Sequence, residues 1–108
     1  MNLAIIIGIS EYQNATPLKA CKNDVILFRD VLKKIKKNDD ILFLGDSPQG
    51  YVAKKQISDF VTKHKEETVD ELIFYYTGHG ERYGDDFFYL FSDFKKEKKK
   101  RLDLEIVN

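Results

Sequence analysis

Cysteine is nearly missing from this 108-residue chain, and its one occurrence, Cys21, excludes an intramolecular disulfide and a cysteine-based zinc site. A lone thiol fits a reducing compartment. No H-x-x-x-H or comparable metal-ligand spacing occurs either. Phosphate loops are equally absent: Gly8 stands alone after the first apolar run, without G-x-G-x-x-G or G-x-x-x-x-G-K-[ST], which excludes a Rossmann or P-loop nucleotide site. No acidic pair follows that run, as a phospho-accepting response-regulator domain would require. Long hydrophobic runs are lacking too. Leu3 to Ile9 is too short to span a membrane, and no basic n-region or small-residue cleavage site accompanies it, so a soluble, cytoplasmic protein without membrane contacts is expected. There are no internal repeats.

Net charge is also lacking, with 18 basic and 18 acidic residues, yet the charges are unevenly placed. Lys95 to Arg101 holds six cations and one acid, leaving 12 basic and 17 acidic residues elsewhere. An acidic body argues against nucleic acid as a partner, and the basic run 95–101 reads as a solvated loop. With 43% hydrophobic and 13% aromatic residues, the composition is that of a single globular domain over residues 1–108.

Leu3 to Ile9 is a continuous Ile-rich run, the pattern of a central parallel strand buried on both faces. Glu11 to Pro17 reads as a polar loop leaving the sheet's carboxyl edge. Leu18, Cys21, Val25, Phe28, Leu32 and Ile35 then recur at spacings of three and four, an amphipathic helix. Ile41 to Leu44 is a second short strand closed by Gly45, Asp46 and Pro48. Ala53, Ile57, Phe60, Val61 and His64 mark a second helical face, on which His64 is expected to be a capping or surface residue.

The most informative stretch is Leu72 to Gly80, five apolar or aromatic residues running through Thr77 into a His held between two glycines. It predicts a buried strand whose tip presents His79 at the carboxyl end, where open α/β sheets place ligands, with Gly78 and Gly80 permitting a sharp turn and close approach. Glu81 to Asp86 reads as a polar turn around Gly84, and Phe87 to Phe91 as a strand of an antiparallel side ribbon. Leu102 to Val107 fits either the start of a strand or the first turn of a helix. The alternation of strands and helices predicts an α/β fold with a mostly parallel sheet and helices on both faces.

Three segments in order, Ala-Ile-Ile-Ile-Gly-Ile-Ser-Glu-Tyr, Pro-Leu-Lys-Ala-Cys-Lys-Asn-Asp-Val and Phe-Tyr-Tyr-Thr-Gly-His-Gly-Glu, resemble the caspase and metacaspase family of cysteine peptidases over residues 3 to 94. The resemblance implies a caspase-like three-layer sandwich, incomplete at its C-terminal end, and endopeptidase cleavage of a peptide or protein by a Cys-His dyad. It gives His79 the role of general base and Gly80 that of oxyanion donor, with Thr77 lining the substrate pocket. Ala-Cys-Lys-Asn-Asp is similar to the Gly-Cys-x-Asn-Asp segment of the metacaspase specificity pocket, with Ala20 departing from it; this implies substrate-binding roles for Cys21 and Asp24 and selection of Arg or Lys. The bland reading remains beside it: Asp24 favours the first turns of its helix and Cys21 packs as a small hydrophobe.

The family's nucleophilic Cys lies in a segment like Asp-x-Cys-x-Ser-Gly, which these 108 residues do not contain. The expectation is therefore a His-bearing part, inactive alone, whose partner is a Cys-bearing C-terminal segment or a second chain; the alternative is a non-catalytic interaction module pairing through its sheet edge. No cofactor is expected. Asp85 and Asp86 raise calcium, as in some metacaspases, but two adjacent acids are too few ligands for a site.

Overall fold

The computed structural model describes residues 1–95; the basic stretch from 96 to 101 and the undecided segment 102–107 lie outside the described residues. Seven elements follow in order: β1 Asn2–Gly8, α1 Lys19–Ile35, β2 Asp40–Leu44, α2 Gly50–Lys63, β3 Glu71–Thr77, β4 Gly80–Tyr83 and β5 Asp86–Tyr89. The first three strands form a parallel sheet in the order β2-β1-β3, and β4 pairs antiparallel with β5 in a separate ribbon.

β1 is central because its neighbours cover both edges, Ile5 lying opposite Leu42 on one side and Phe74 on the other. Side chains alternate across a strand, so Leu3, Ile5 and Ile7 enter one face with Ala53 and Phe60 of α2, while Ala4 and Ile6 enter the other with Val25 and Leu32 of α1. A strand buried on both faces has no polar side to show, which explains the unbroken apolar run. Each of these buried isoleucines stabilises the fold by about 2 kcal/mol relative to exposure. The helices thus sit on opposite faces, and the three layers match the caspase-like architecture expected from the resemblance. α1 closes tightly on β1 where Gly8 meets Val25; a Cβ there would lie 2.8 Å from the Val25 Cγ1.

Several expectations change. Glu81 to Tyr83 is not turn but strand, β4, with Gly84 at φ +66° as the first loop residue of the hairpin. β3 is a sheet edge, and Leu72 at its start is 53% exposed, so this stretch is not the doubly buried strand its sequence suggests. Ile35 closes the predicted stripe of α1 but is exposed, together with Leu27 and Val31. His64 does cap α2 but is no surface residue: it is 8% exposed, Nε2 lies 2.8 Å from an Asp40 carboxylate oxygen, and Nδ1 meets Glu67. Glu67 first and Asp40 second raise its pKa above the ordinary histidine value. Lys63, donating to Asp40 at 2.9 Å, holds that carboxyl below the usual carboxylate range, with His64 adding to the effect. No helix of the described residues is long and apolar enough to cross a membrane.

Candidate active site

The carboxyl ends of β1 and β3 meet under the loop 9–18, where the Ile9 N–H donates to the Thr77 carbonyl at 3.0 Å and carries the pairing past Gly8. The loop is a built structure. The Ser47 hydroxyl, on the β2–α2 turn, accepts the N–H groups of Ser10 and Glu11 at 2.9 and 3.0 Å. The Leu18 N–H returns to the Ser10 carbonyl at 2.8 Å, the Gln13 N–H donates to Ser92 at 2.8 Å, and the Asn14 amide donates to the Phe94 carbonyl at 3.1 Å. Satisfying its backbone groups in this way holds the loop, and with it Tyr12 and Thr16, over the strand ends.

His79 follows β3 after a single residue, Gly78, and lies under that loop. Its Nε2 is 2.8 Å from the Thr16 carbonyl oxygen. A carbonyl only accepts, so this contact places the ring proton on Nε2. Among the described residues Nδ1 has no hydrogen-bond partner, and in the neutral ring it carries the lone pair. The Tyr12 ring lies against the imidazole, with centroids 4.7 Å apart. The arrangement is an oriented imidazole with one nitrogen committed and the other open to accept a proton.

Of the remaining sequence-derived candidates, the structure joins two. The Thr77 hydroxyl donates to the Cys21 sulfur at 3.1 Å, and Cys21 is 7% exposed on the first turn of α1. Asp24, one helical turn further, is exposed and lines a depression of about 250 Å³ with Leu27, Phe28, Val31 and Tyr75; neither Cys21 nor Thr77 lines that depression. Gly80 is exposed at the start of β4 opposite Tyr89, and a side chain there would strike the Phe87 ring. Neither Gly78 nor Gly80 has a positive φ, so the expected sharp turn is not why they are glycine: a Cβ on Gly78 would lie 2.5 Å from the Tyr76 hydroxyl and 2.8 Å from that of Tyr12. Asp85 and Asp86 stand exposed at the hairpin tip, and among the described residues no three or more His, Cys, Asp or Glu side chains gather as metal ligands.

Sequence reasoning missed Thr16, Tyr12 and Tyr76. Thr16 acts through its carbonyl, which every residue has, so no residue type could mark it. Tyr76 carried a signal, a tyrosine in an apolar strand whose hydroxyl needs a partner when buried, whereas Tyr12 sits in a polar loop and carried none.

No solved structure matches this chain. Metacaspase-9 of Arabidopsis thaliana is 32% identical over 88 residues, an alignment covering 74% of this chain and 27% of that protein. The chain thus spans about a quarter of that relative's length. A family model described as caspase domain matches residues 1–102, almost the whole sequence and all seven elements. With this match, the three-layer parallel fold and a histidine at the end of β3, the chain belongs to the caspase-domain family of peptidases.

Proposed function

We propose that the chain is the histidine-bearing part of a cysteine endopeptidase that cleaves after Arg or Lys, its nucleophilic thiol being supplied from outside these 108 residues. The observation that carries the reading is the His79 imidazole, fixed through Nε2 on the Thr16 carbonyl with Nδ1 unengaged. In the reaction Nδ1 takes the proton of the attacking thiol and later returns it to the departing amine. The Gly80 N–H donates to the oxyanion of the tetrahedral intermediate, a contribution of about 3 kcal/mol for a preorganised donor. Cys21 is unsuited as nucleophile: it is buried and accepts a hydrogen bond from the Thr77 hydroxyl, whereas a reactive thiol needs an accessible, electropositive setting. Thr77 and Cys21, joined by their hydrogen bond, instead brace α1 against the end of β3 one helical turn before Asp24, without lining the depression beside it. Asp24 selects the cationic side chain, supported by its exposed carboxylate beside the apolar surfaces of Leu27, Phe28 and Tyr75, which suit an aliphatic stem.

The test combines the chain with a cysteine-bearing complement, its own downstream sequence or a partner, and supplies peptides ending in Arg, Lys or Asp. Cleavage after Arg and Lys is expected only with both pieces, falling about 10³-fold or more in His79→Ala. Turnover that survives His79→Ala overturns the dyad, and cleavage after Asp overturns the pocket assignment. A second reading, a non-catalytic interaction module, is favoured by the outer edge of β3, which pairs with no strand among the described residues, and by the exposed Leu72 on it. Stable complex formation without turnover would select it.

A further inference from the structure

We propose that Tyr12 and Tyr76 are positioning residues for His79, gripping its peptide from both sides so that the imidazole is held on the Thr16 carbonyl. The proposal rests on the reading of His79 as the base. The Tyr12 hydroxyl oxygen accepts the His79 N–H at 2.8 Å, and the Tyr76 hydroxyl donates to the His79 carbonyl at 2.7 Å. Both hydroxyls also reach the Leu90 carbonyl, at 3.3 and 2.7 Å, and the Leu90 N–H donates to the His79 carbonyl at 3.1 Å. The exit of β5 is therefore tied into the same knot. Two hydroxyl protons serve three carbonyl contacts: Tyr12 receives the His79 N–H and donates to Leu90, while the single Tyr76 proton is shared between the His79 and Leu90 carbonyls, each 2.7 Å away.

Three features distinguish this from ordinary core packing. First, the two hydroxyls meet both backbone polar groups of the residue whose ring matters, one taking its N–H and the other its carbonyl, with Leu90 as their shared second partner. Second, burial pushes both phenols above their ordinary pKa, so they remain protonated donors across the working range. Third, the glycine before His79 is required by the clamp itself, because a methyl group there would collide with both hydroxyl oxygens. The two tyrosines come from separate elements, the loop 9–18 and β3. Tyr12 shares its loop with Thr16, so the acceptor for the ring and one anchor for the peptide move together.

The experiment is nitrogen-15 NMR of the histidines in the isolated chain, reading the tautomer of neutral His79 and the solvent exchange of its Nε2 proton. Wild type is expected to hold the proton on Nε2 with slow exchange. Tyr12→Phe and Tyr76→Phe each keep the ring but release the peptide, and each should shift the tautomer ratio by about fivefold toward Nδ1–H, as loss of one hydrogen bond would. Circular dichroism should stay at wild type. Tyr89→Phe removes a hydroxyl from a ring 4.5 Å from Tyr76 and should change neither signal. Because Tyr12 serves the N–H and Tyr76 the carbonyl, either variant carries the test if the other fails to fold. A folded Tyr→Phe variant with the wild-type tautomer ratio and exchange rate overturns the clamp. The readout needs neither thiol nor peptide, so a reconstituted enzyme that fails to cleave would overturn the peptidase reading and leave this result standing.

Discussion

His64 is the side chain whose surroundings depart furthest from what its sequence position suggests. Lying between Lys63 and Lys65 at a helix end, it reads as solvated, but it is turned inward between Asp40 and Glu67, with the Phe60 ring 5.1 Å away. Two carboxylates can be served at once only by an imidazolium, which has a proton on each nitrogen. The folded state therefore raises its pKa, and the sign follows: the stabilisation is complete below the ordinary value of 6.5 and is lost as pH rises through the folded-state value. The difference in thermal midpoint between wild type and His64→Gln should be largest near pH 6 and shrink as the solution becomes alkaline. A difference constant from pH 6 to 9 would show that the charge plays no part. The sequence could not reveal this residue because Asp40 on β2 is joined to it by tertiary folding, and Glu67, though only three residues on, lies beyond the end of α2. The same holds for Gly78. It is legible as a requirement, but the cause lies in the hydroxyls of Tyr76 and Tyr12, brought over it by folding, and not in its own backbone angle.

Elements were far more legible than contacts. β1, α1, β2 and α2 emerge from the hydrophobic pattern because each turns apolar side chains into the core clusters, although β2 is mostly half-buried and the stripe of α1 runs out to an exposed Ile35. β4 escaped because Glu81, Arg82 and Tyr83 bury little, and a strand held by its ladder to β5 needs no apolar alternation. What fixes that ribbon is its two-residue loop, in which Gly84 adopts φ +66° with open space around it. A methyl group at Gly84 meets no neighbour, which isolates the backbone cost. Gly84→Ala should destabilise the ribbon by about 1 kcal/mol, visible as faster amide exchange in β4 and β5 with β1 unaffected. Exchange unchanged in the ribbon would mean that Tyr76 and Leu90, more than the turn, hold it in place.

The whole molecule has two unlike sheet edges. At the β2 edge, Asp40 gathers Lys63 and His64 into a charged cluster that discourages strand addition. At the β3 edge, no strand pairs with the outer side among the described residues, and apolar side chains stand exposed on both flanks: Leu27 and Val31 of α1 beside Tyr75, and Val61, Val69 and Leu72 on the face of α2. Leu27 and Leu72 are 65% and 53% exposed, large values for leucine on both sides of one edge. Exposed apolar surface beside unpaired backbone groups is the condition under which chains associate. The isolated chain should accordingly self-associate as its concentration rises, and Val31→Lys combined with Leu72→Lys should weaken that association by about tenfold or more, since burying either cation would require its desolvation. Both side chains are already solvent-exposed, so the fold should survive, as circular dichroism would verify. Sedimentation velocity decides the matter: a wild-type chain that stays monomeric at high concentration, or a double variant that associates as before, would show that this edge is closed by something other than apolar contact.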